Sequence, residues 1–450
     1  MQAEARTEDR SGAVRQELRA LFALATPLAI LQLANSGVGA VGTAYAGRVS
    51  EATQAAVGLG MTLFFGVTVI GLGLVLGFDP LVAQAVGAGE RRARSLVWQA
   101  VWMAIVAGVP LAAVQTLIAL ILPYLGLEDA TATLTRDYLL ARVPSIFPFL
   151  IGAALRTYLQ AHDRTRPLLV AAVVANVVNV PLTHLAVLTL GWGALGAGIA
   201  ASAATFAMMI VELLAVQRLL GEHGAPEPNE RRLDRAVLSR AARVGFPLAM
   251  QLFAEVGAFT LATVLIGYLG SRSLAAHNVA LQLASLTFQV ALALGAAASV
   301  RVGLAIGRAD VVATRRAGML AIGAGVAFSL VAAAAFFVVP AELAGILTDE
   351  VGVIAAAVPL LYVASAFQLG DGMQAIAAGA LRGAGDTRTT MFANLAGHYL
   401  VGLPLGLALG FAFDLGALGF WWGLSAGLTS VGVLLTWRFW KLSARAIARV

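Results

Sequence analysis

The sequence contains no cysteine and little charge: Asp, Glu, Lys and Arg make up 12% of its 450 residues. A water-soluble protein carries about a quarter. The absent cysteines exclude a disulfide framework and thiolate metal sites. The scarce charge leaves too little polar surface for a soluble body of this length, so most of the outside must face something other than water. Two further patterns are missing. Strand-like alternation of apolar and polar residues, the mark of an outer-membrane barrel, does not occur. Nor does a P-loop G-x-x-x-x-G-K-[ST], so the chain has no evident means of powering itself with ATP. From Met1 to Gly12, Arg6 and Arg10 mix with Glu4, Glu8 and Asp9, with no short apolar stretch and cleavage site, and no removable signal peptide is expected.

What is present is apolar. Residues of the AVILMFWYC set make up 60% of the chain, glycine is abundant at 48 residues, and mean hydropathy is +0.85. Glycine suits membrane helices that approach closely through small side chains. A helix crossing ~30 Å of hydrocarbon needs roughly 20 mainly apolar residues. That ruler finds segments near 20–43, 54–84, 96–122, 134–159, 166–189 and 194–219, then six more near 243–269, 274–306, 312–346, 353–382, 388–412 and 416–440. The expected fold is an all-α membrane protein of about twelve transmembrane helices. Its parts are a cytoplasmic tail (1–19), an N-lobe (20–220), a cytoplasmic linker (221–242), a C-lobe (243–440) and a second cytoplasmic tail (441–450). The linker reads as water-exposed from its run GEHGAPEPNERRLDR, with two prolines and many charges.

The basic residues are scattered in short loops rather than gathered in a patch, so the net charge of +6 points to membrane orientation and not to nucleic acid. Arg48, Arg136, Arg142 and Arg272 fall near one face; Arg91, Arg92, Arg94, Arg231, Arg232, Arg315 and Arg316 fall on the other with the rest of the Lys and Arg. By the positive-inside rule both termini are expected in the cytoplasm, in a bacterial-type inner (plasma) membrane.

The two halves repeat. A shift of 220 places Pro27-Leu28-Ala29 on Pro247-Leu248-Ala249, Gly37 on Gly257, Thr43 on Thr263 and Gly87 on Gly307. After an insertion the shift becomes 223, pairing Asp163 with Asp386, Pro181 with Pro404 and Gly193 with Gly416. Six spans per half is an even number, so both lobes enter the membrane the same way. This is a parallel internal repeat, and substrate is expected to bind between the halves. Such a body suits alternating access by a secondary transporter.

Charge inside the spans is rare and acidic. Glu255, in MQLFAEVGAFTLA, and Asp371, in AFQLGDGMQAIAAGALRG, lie deep in the seventh and tenth segments. An ionised carboxylate there costs at least a few kcal/mol, so it persists with a partner or a function. Loss of hydration favours the neutral acid and a nearby cation the ionised one, which makes both candidates for binding a proton or a cation. Gln251 and Gln374 add neutral oxygens from the same helices. Asn35 is the repeat partner of Glu255, in the same place without charge. Asn176 and Asn179 precede Pro181, whose missing N–H frees a carbonyl; helix-to-helix hydrogen bonding is the commoner use of such amides. Asp79, beside Pro80, fits a helix break with local hydrogen bonds. His184 and His398 have no matching ligand at metal spacing and read as polar packing, so no metal site is expected.

Two enzyme patterns are discounted. Gly423-Leu-Ser425-Ala-Gly427 has the spacing of a hydrolase elbow but lies inside an apolar helix with no preceding strand. Gly191-x-Gly193-x-x-Gly196 has dinucleotide-binding spacing without a βαβ context. No catalytic set emerges, so the chain is not expected to be an enzyme, and no cofactor is expected.

The runs LATPLAILQLANSGVGAVGTAYAGRVS, VAQAVGAGERR, GFPLAMQLFAEVG and FQLGDGMQAIAAGALRGAGDTR resemble the multidrug and toxic compound extrusion (MATE) family, in its NorM-like branch, over nearly the whole chain. The resemblance implies a two-lobed exporter of organic cations, often drugs or dyes, in exchange for protons or sodium. It implies that Glu255 and Asp371 bind the coupling ion, H⁺ or Na⁺, and the cationic substrate, and that Asn179 is a polar position of an N-lobe cation site. Two departures stand out. Gly42 occupies the place of an Asp found in many bacterial members, and Phe367 that of a Tyr found in some sodium-using ones.

The expected partners are cationic or zwitterionic small molecules and the lipid bilayer, with no nucleic acid, and the chain is expected to be monomeric. The rival within transport is a flippase of the wider superfamily for a lipid-linked precursor. Its pyrophosphate substrate calls for Arg or Lys at the midplane, where this chain has acids. The rival of another class is a membrane subunit that transports nothing, which the two-lobed repeat disfavours.

Overall fold

A computed structural model of the chain describes residues 2–126, 128–222 and 229–450. Among these residues there is no strand, and twelve helices are long and apolar enough to cross a membrane. In chain order the spans are Gly12–Gly47, Glu51–Gly87, Ala93–Tyr124, Asp129–Ala161, Arg166–Thr189, Gly193–Glu222, Arg235–Gly267, Ser271–Gly307, Val311–Val338, Val351–Gly383, Thr387–Ala412 and Gly416–Leu442. The expected count of twelve holds. The ninth span stops earlier than its hydropathy suggests, because Pro340 opens a separate short helix, Pro340–Gly345.

Local chemistry sets many of the ends. The Ser50 hydroxyl accepts the Thr53 N–H (3.1 Å) and the Asp310 carboxylate accepts the Ala313 N–H (2.8 Å), each capping the helix that follows. The internal repeat is written into the backbone as well. Left-handed residues fall on repeat partners: Gly89 (φ 68°) with Ala309 (58°), Gly191 (70°) with Asp414 (54°), and Gly193 (50°) with Gly416 (56°). An alanine at positive φ is disfavoured, so its presence opposite a glycine marks a turn that both halves must make. The π-helical stretches His184–Thr189 and Ala408–Ala412 also correspond under the 223-residue shift.

By internal contact the chain forms two compact units. One is Ile30–Ala249; the other is Met250–Val450 together with the residues through Ala29. Both divisions fall two residues after a proline inside a helix, Pro27 and Pro247, which are themselves repeat partners. Each half therefore contributes the start of its first helix to the other half's unit. In the second unit this start is held by Arg301, whose guanidinium donates to both Glu17 oxygens (2.9 and 2.8 Å). In the first, Gly73 and Gly77 let the second span meet the backbone of Ala249 and Gly245.

Helix runs back to Gln2 through the residues expected as an N-terminal tail. Part of the expected linker, 223–228, lies outside the described residues, and helix resumes at Arg235. Between them, Gln99 bonds the Arg232 carbonyl (2.7 Å) and the Asp234 N–H (2.8 Å), and Glu230 is buried against Arg94 (3.0 Å). This stretch is docked on the third span, a contact that its charged composition conceals.

The second unit packs its eighth, tenth and twelfth spans around buried Phe367, Trp421 and Leu428. Close approach is made by glycine. A side chain at Gly379 or Gly383 would meet the backbone of Gly295 or Ser299 on the eighth span. The discounted motifs find their reason here. Gly423 and Gly427 face the backbone of Gly402, Gly406 and Gly397 in the eleventh span, and the Ser425 hydroxyl is spent on the Trp421 carbonyl (2.7 Å). Gly191 and Gly193 make a left-handed turn, and Gly196 packs on the Ala186 backbone.

Candidate functional site

The second unit gathers five polar side chains from three spans. Gln251 and Glu255 are one helical turn apart on the seventh span and share a face. Asp371 and Gln374 lie on the tenth, and Asn394 on the eleventh. The Gln374 amide donates to Glu255 Oε2 (3.3 Å) and to Asn394 Oδ1 (2.8 Å). Asn394 in turn donates to the Thr390 carbonyl one turn earlier (2.9 Å). Asp371 lies within electrostatic reach of Glu255. Asp371, Gln374, Gln251 and Asn394 are buried, and Glu255 is partly exposed.

This set is rich in oxygen and short of hydrogen. The amide oxygens of Gln251 and Gln374 are buried with no hydrogen-bond partner, which is costly unless something else supplies one. Two carboxylates within electrostatic reach of each other and two unbonded amide oxygens thus concentrate hydrogen-bond acceptors with few donors among them. Among the described residues no group of three His, Asp or Glu with metal-ligand geometry occurs.

An aromatic cluster is built on the same helices. Phe259 meets Phe367 and His398 edge-on, at centroid distances of 6.1 and 6.0 Å, and Phe367 meets Trp421 at 5.3 Å. The Trp421 indole donates to His277, whose other nitrogen bonds Thr263 (2.9 Å). His398 is buried with both ring nitrogens unbonded, in a π-helical stretch, Ala396–Gly402. Tyr399, next to it, donates to the Ala254 carbonyl (2.9 Å) just ahead of Glu255.

The other sequence candidates fall in the first unit and serve helix-to-helix bonding. Asn176 donates to the carbonyls of Ala34 (3.1 Å) and Ala172 (3.0 Å). Asn179 donates to the Val38 carbonyl (3.1 Å) and accepts from Thr183 (3.3 Å), so both ends of its amide are used. Asn35 is half-buried on the facing helix, and a side chain begun at Gly42 would touch Val57 at an ordinary 3.9 Å. Asp79 is buried and accepts a hydrogen bond from the Thr157 hydroxyl (2.7 Å).

Three charges inside the spans of the first unit escaped the sequence reading. Arg156 and Glu212, on the fourth and sixth spans, form an ion pair at 3.0 Å in which Glu212 is fully buried. Arg142, expected near the outer face, instead lies inside the fourth span over the Phe64 ring (4.0 Å to its centroid) and donates to Thr205 (3.3 Å). None of the three has a charged repeat partner that could have drawn attention to it. Asn394 was missed because an isolated amide in an apolar segment looks like helix packing.

Comparison with known proteins agrees with this architecture. The MatE family model matches twice, over residues 27–185 and 247–408, once in each half and each time from the repeated proline. A probable multidrug resistance protein NorM of Rhizobium meliloti is 34% identical over 444 residues, covering 96% of this chain and 94% of that protein. The multidrug resistance protein NorM of Vibrio cholerae is 31% identical over 450 residues, covering 96% and 97%. The eukaryotic MATE transporter AtDTX14 superposes with a TM-score of 0.86 at 22% identity over 96% of this chain and 98% of that one. The Vibrio cholerae MATE transporter VcmN in its bent form does so with 0.85 at 19%, covering 96% and 98%. With its family pattern present in both halves and full-length relatives above 30% identity, the chain belongs to the MatE family.

Proposed function

We propose that this protein is a secondary active multidrug efflux transporter that exports organic cations by antiport with protons or sodium. The observation that carries the reading is the oxygen-rich site, in which Glu255 and Asp371 are neighbours and the oxygens of Gln251 and Gln374 have no donor. A substrate cation supplies the missing charge. A proton or sodium ion arriving at the same carboxylates competes with it and promotes its release. Because both ligands need the same acids, occupancy by one excludes the other, which is the minimum requirement of antiport. The acidic character of the site also speaks against a pyrophosphate-bearing substrate.

We infer an inner-membrane location with both termini in the cytoplasm from the basic loop residues, and we take the transporter to act as a monomer. The names of the curated relatives support the drug-export part of the reading. The test uses purified protein in sealed liposomes and uptake of a fluorescent organic cation. A pH gradient and a sodium gradient are imposed separately on wild type, Glu255→Gln and Asp371→Asn. Transport driven by one gradient and abolished in both variants is expected. Undiminished transport in both variants at equal protein levels overturns the assignment.

A further inference from the structure

The first unit carries a second feature, unrelated to the acidic site. A groove of about 390 Å³ opens where the fourth, fifth and sixth spans approach the membrane surface. Its wall is apolar: Val170 from the fifth span, Val211, Leu214 and Ala215 from the sixth. Its mouth is basic. Arg166, the first residue of the fifth span, and Arg218, near the end of the sixth, both line it and are exposed. Neither has an acidic partner among the described residues. Arg164 also lines the mouth but is already paired with Glu222 (2.9 Å).

The arrangement along the sixth span is regular. Val211, Leu214, Ala215, Arg218 and Glu222 recur at helical spacing and form a single stripe. From Val211 to Glu222 the stripe runs about 16 Å at 1.5 Å per residue. That is about the depth of one hydrocarbon leaflet. Val170 and Leu214 are 53% and 51% exposed, so the groove is open to the acyl region along its length.

We propose that this groove binds an anionic phospholipid, with the phosphate held between Arg166 and Arg218 and the start of an acyl chain lying along Val170, Val211 and Leu214. Basic pockets between membrane helices at the cytoplasmic surface suit such headgroups. Arginine is suited to them because its planar fork binds phosphate oxygens in pairs. A soluble anion would use the mouth alone. The continuous apolar wall beneath the charges selects a ligand with a tail.

The test is native mass spectrometry of the full chain in detergent with an equimolar mixture of phosphatidylglycerol and phosphatidylcholine. Wild type is expected to retain phosphatidylglycerol selectively. Arg166→Gln/Arg218→Gln should weaken that retention on the order of tenfold, from the contribution of two near-surface arginines. Arg166→Lys/Arg218→Lys should preserve most of it. Val170→Trp, which fills the groove and leaves the charges in place, should weaken it too, and it keeps the test open if the double glutamine variant elutes as aggregate. Unchanged phosphatidylglycerol retention in a folded Arg166→Gln/Arg218→Gln or Val170→Trp protein overturns the proposal. So does displacement of the lipid by millimolar inorganic phosphate, which would make the mouth a site for soluble anions.

Discussion

Arg156 and Glu212 join the fourth and sixth spans through a 3.0 Å ion pair inside the first unit. The second Glu212 oxygen has no partner and faces Gly152, where any side chain would collide with it. Breaking a buried pair by removing one member leaves an uncompensated charge and costs about 3–5 kcal/mol, whereas replacing both members by apolar residues is often neutral. Arg156→Met and Glu212→Leu are therefore each expected to lower the melting temperature sharply, and the double variant to recover most of the loss. Thermal unfolding in detergent, followed by size-exclusion fluorescence, reads all three. Equal destabilisation in the double variant would mean that the pair is coupled to further groups.

The link from Gln374 to Glu255 and Asn394 gives a second expectation. Gln374→Leu deletes both hydrogen bonds and strands the buried Asn394 oxygen, at about 1–3 kcal/mol. It also frees Glu255 from the tenth span that carries Asp371. Transport of an organic cation should fall strongly while the protein remains folded, and Gln374→Asn, too short to bridge both partners, should be intermediate. Initial uptake rates in liposomes at matched protein content decide this. Wild-type rates in Gln374→Leu would show that the bridge is dispensable scaffolding.

How much was legible beforehand differs between fold and site. Spans, count and repeat follow from hydropathy and the equivalence of Pro27 with Pro247, because a bilayer imposes one length scale on every helix. Glu255 and Asp371 stood out because an acid amid apolar residues is conspicuous. Asn394 did not, since its role comes from which helix face meets Gln374, and twelve similar helices give no signal of their neighbours. Arg156 and Glu212 were hidden for another reason. They lie toward the charged ends of their spans, where arginine and glutamate are ordinary, and only packing shows that they pair. The exchange of helix starts at Ala29 and Ala249 was likewise invisible, because a proline announces a bend but not its direction.

Glycine packing between the eighth and tenth spans supports the helix that bears Asp371. Gly379 and Gly383 are one turn apart and oppose Gly295 and Ser299, the small-residue spacing that lets membrane helices touch backbone to backbone. Gly383→Val cannot be absorbed by a rotamer change, since the obstacle is the Ser299 main chain. It is expected to destabilise by about 1–3 kcal/mol and to reduce transport through displacement of the tenth span. Gly323→Val, where the space is open, is the control and should leave melting temperature and uptake near wild type.

Phe367 lies one turn before Asp371, buried edge-on between Phe259 and Trp421. Phe367→Tyr adds a hydroxyl to that apolar contact, and an unbonded hydroxyl there costs about 1–3 kcal/mol. The melting temperature in sodium-free buffer should therefore fall by several degrees. The same hydroxyl also brings an additional oxygen within one helical turn of Asp371, which gives the variant diagnostic value. If sodium is the coupling ion, sodium should restore the lost stability where equimolar potassium does not, because only a ligand bound to the folded site shifts unfolding by mass action. If protons couple transport, both salts should act alike, and lowering the pH should do what sodium does not. Thermal unfolding of wild type and variant in the two salts, at two pH values, separates these outcomes without reference to transport rates.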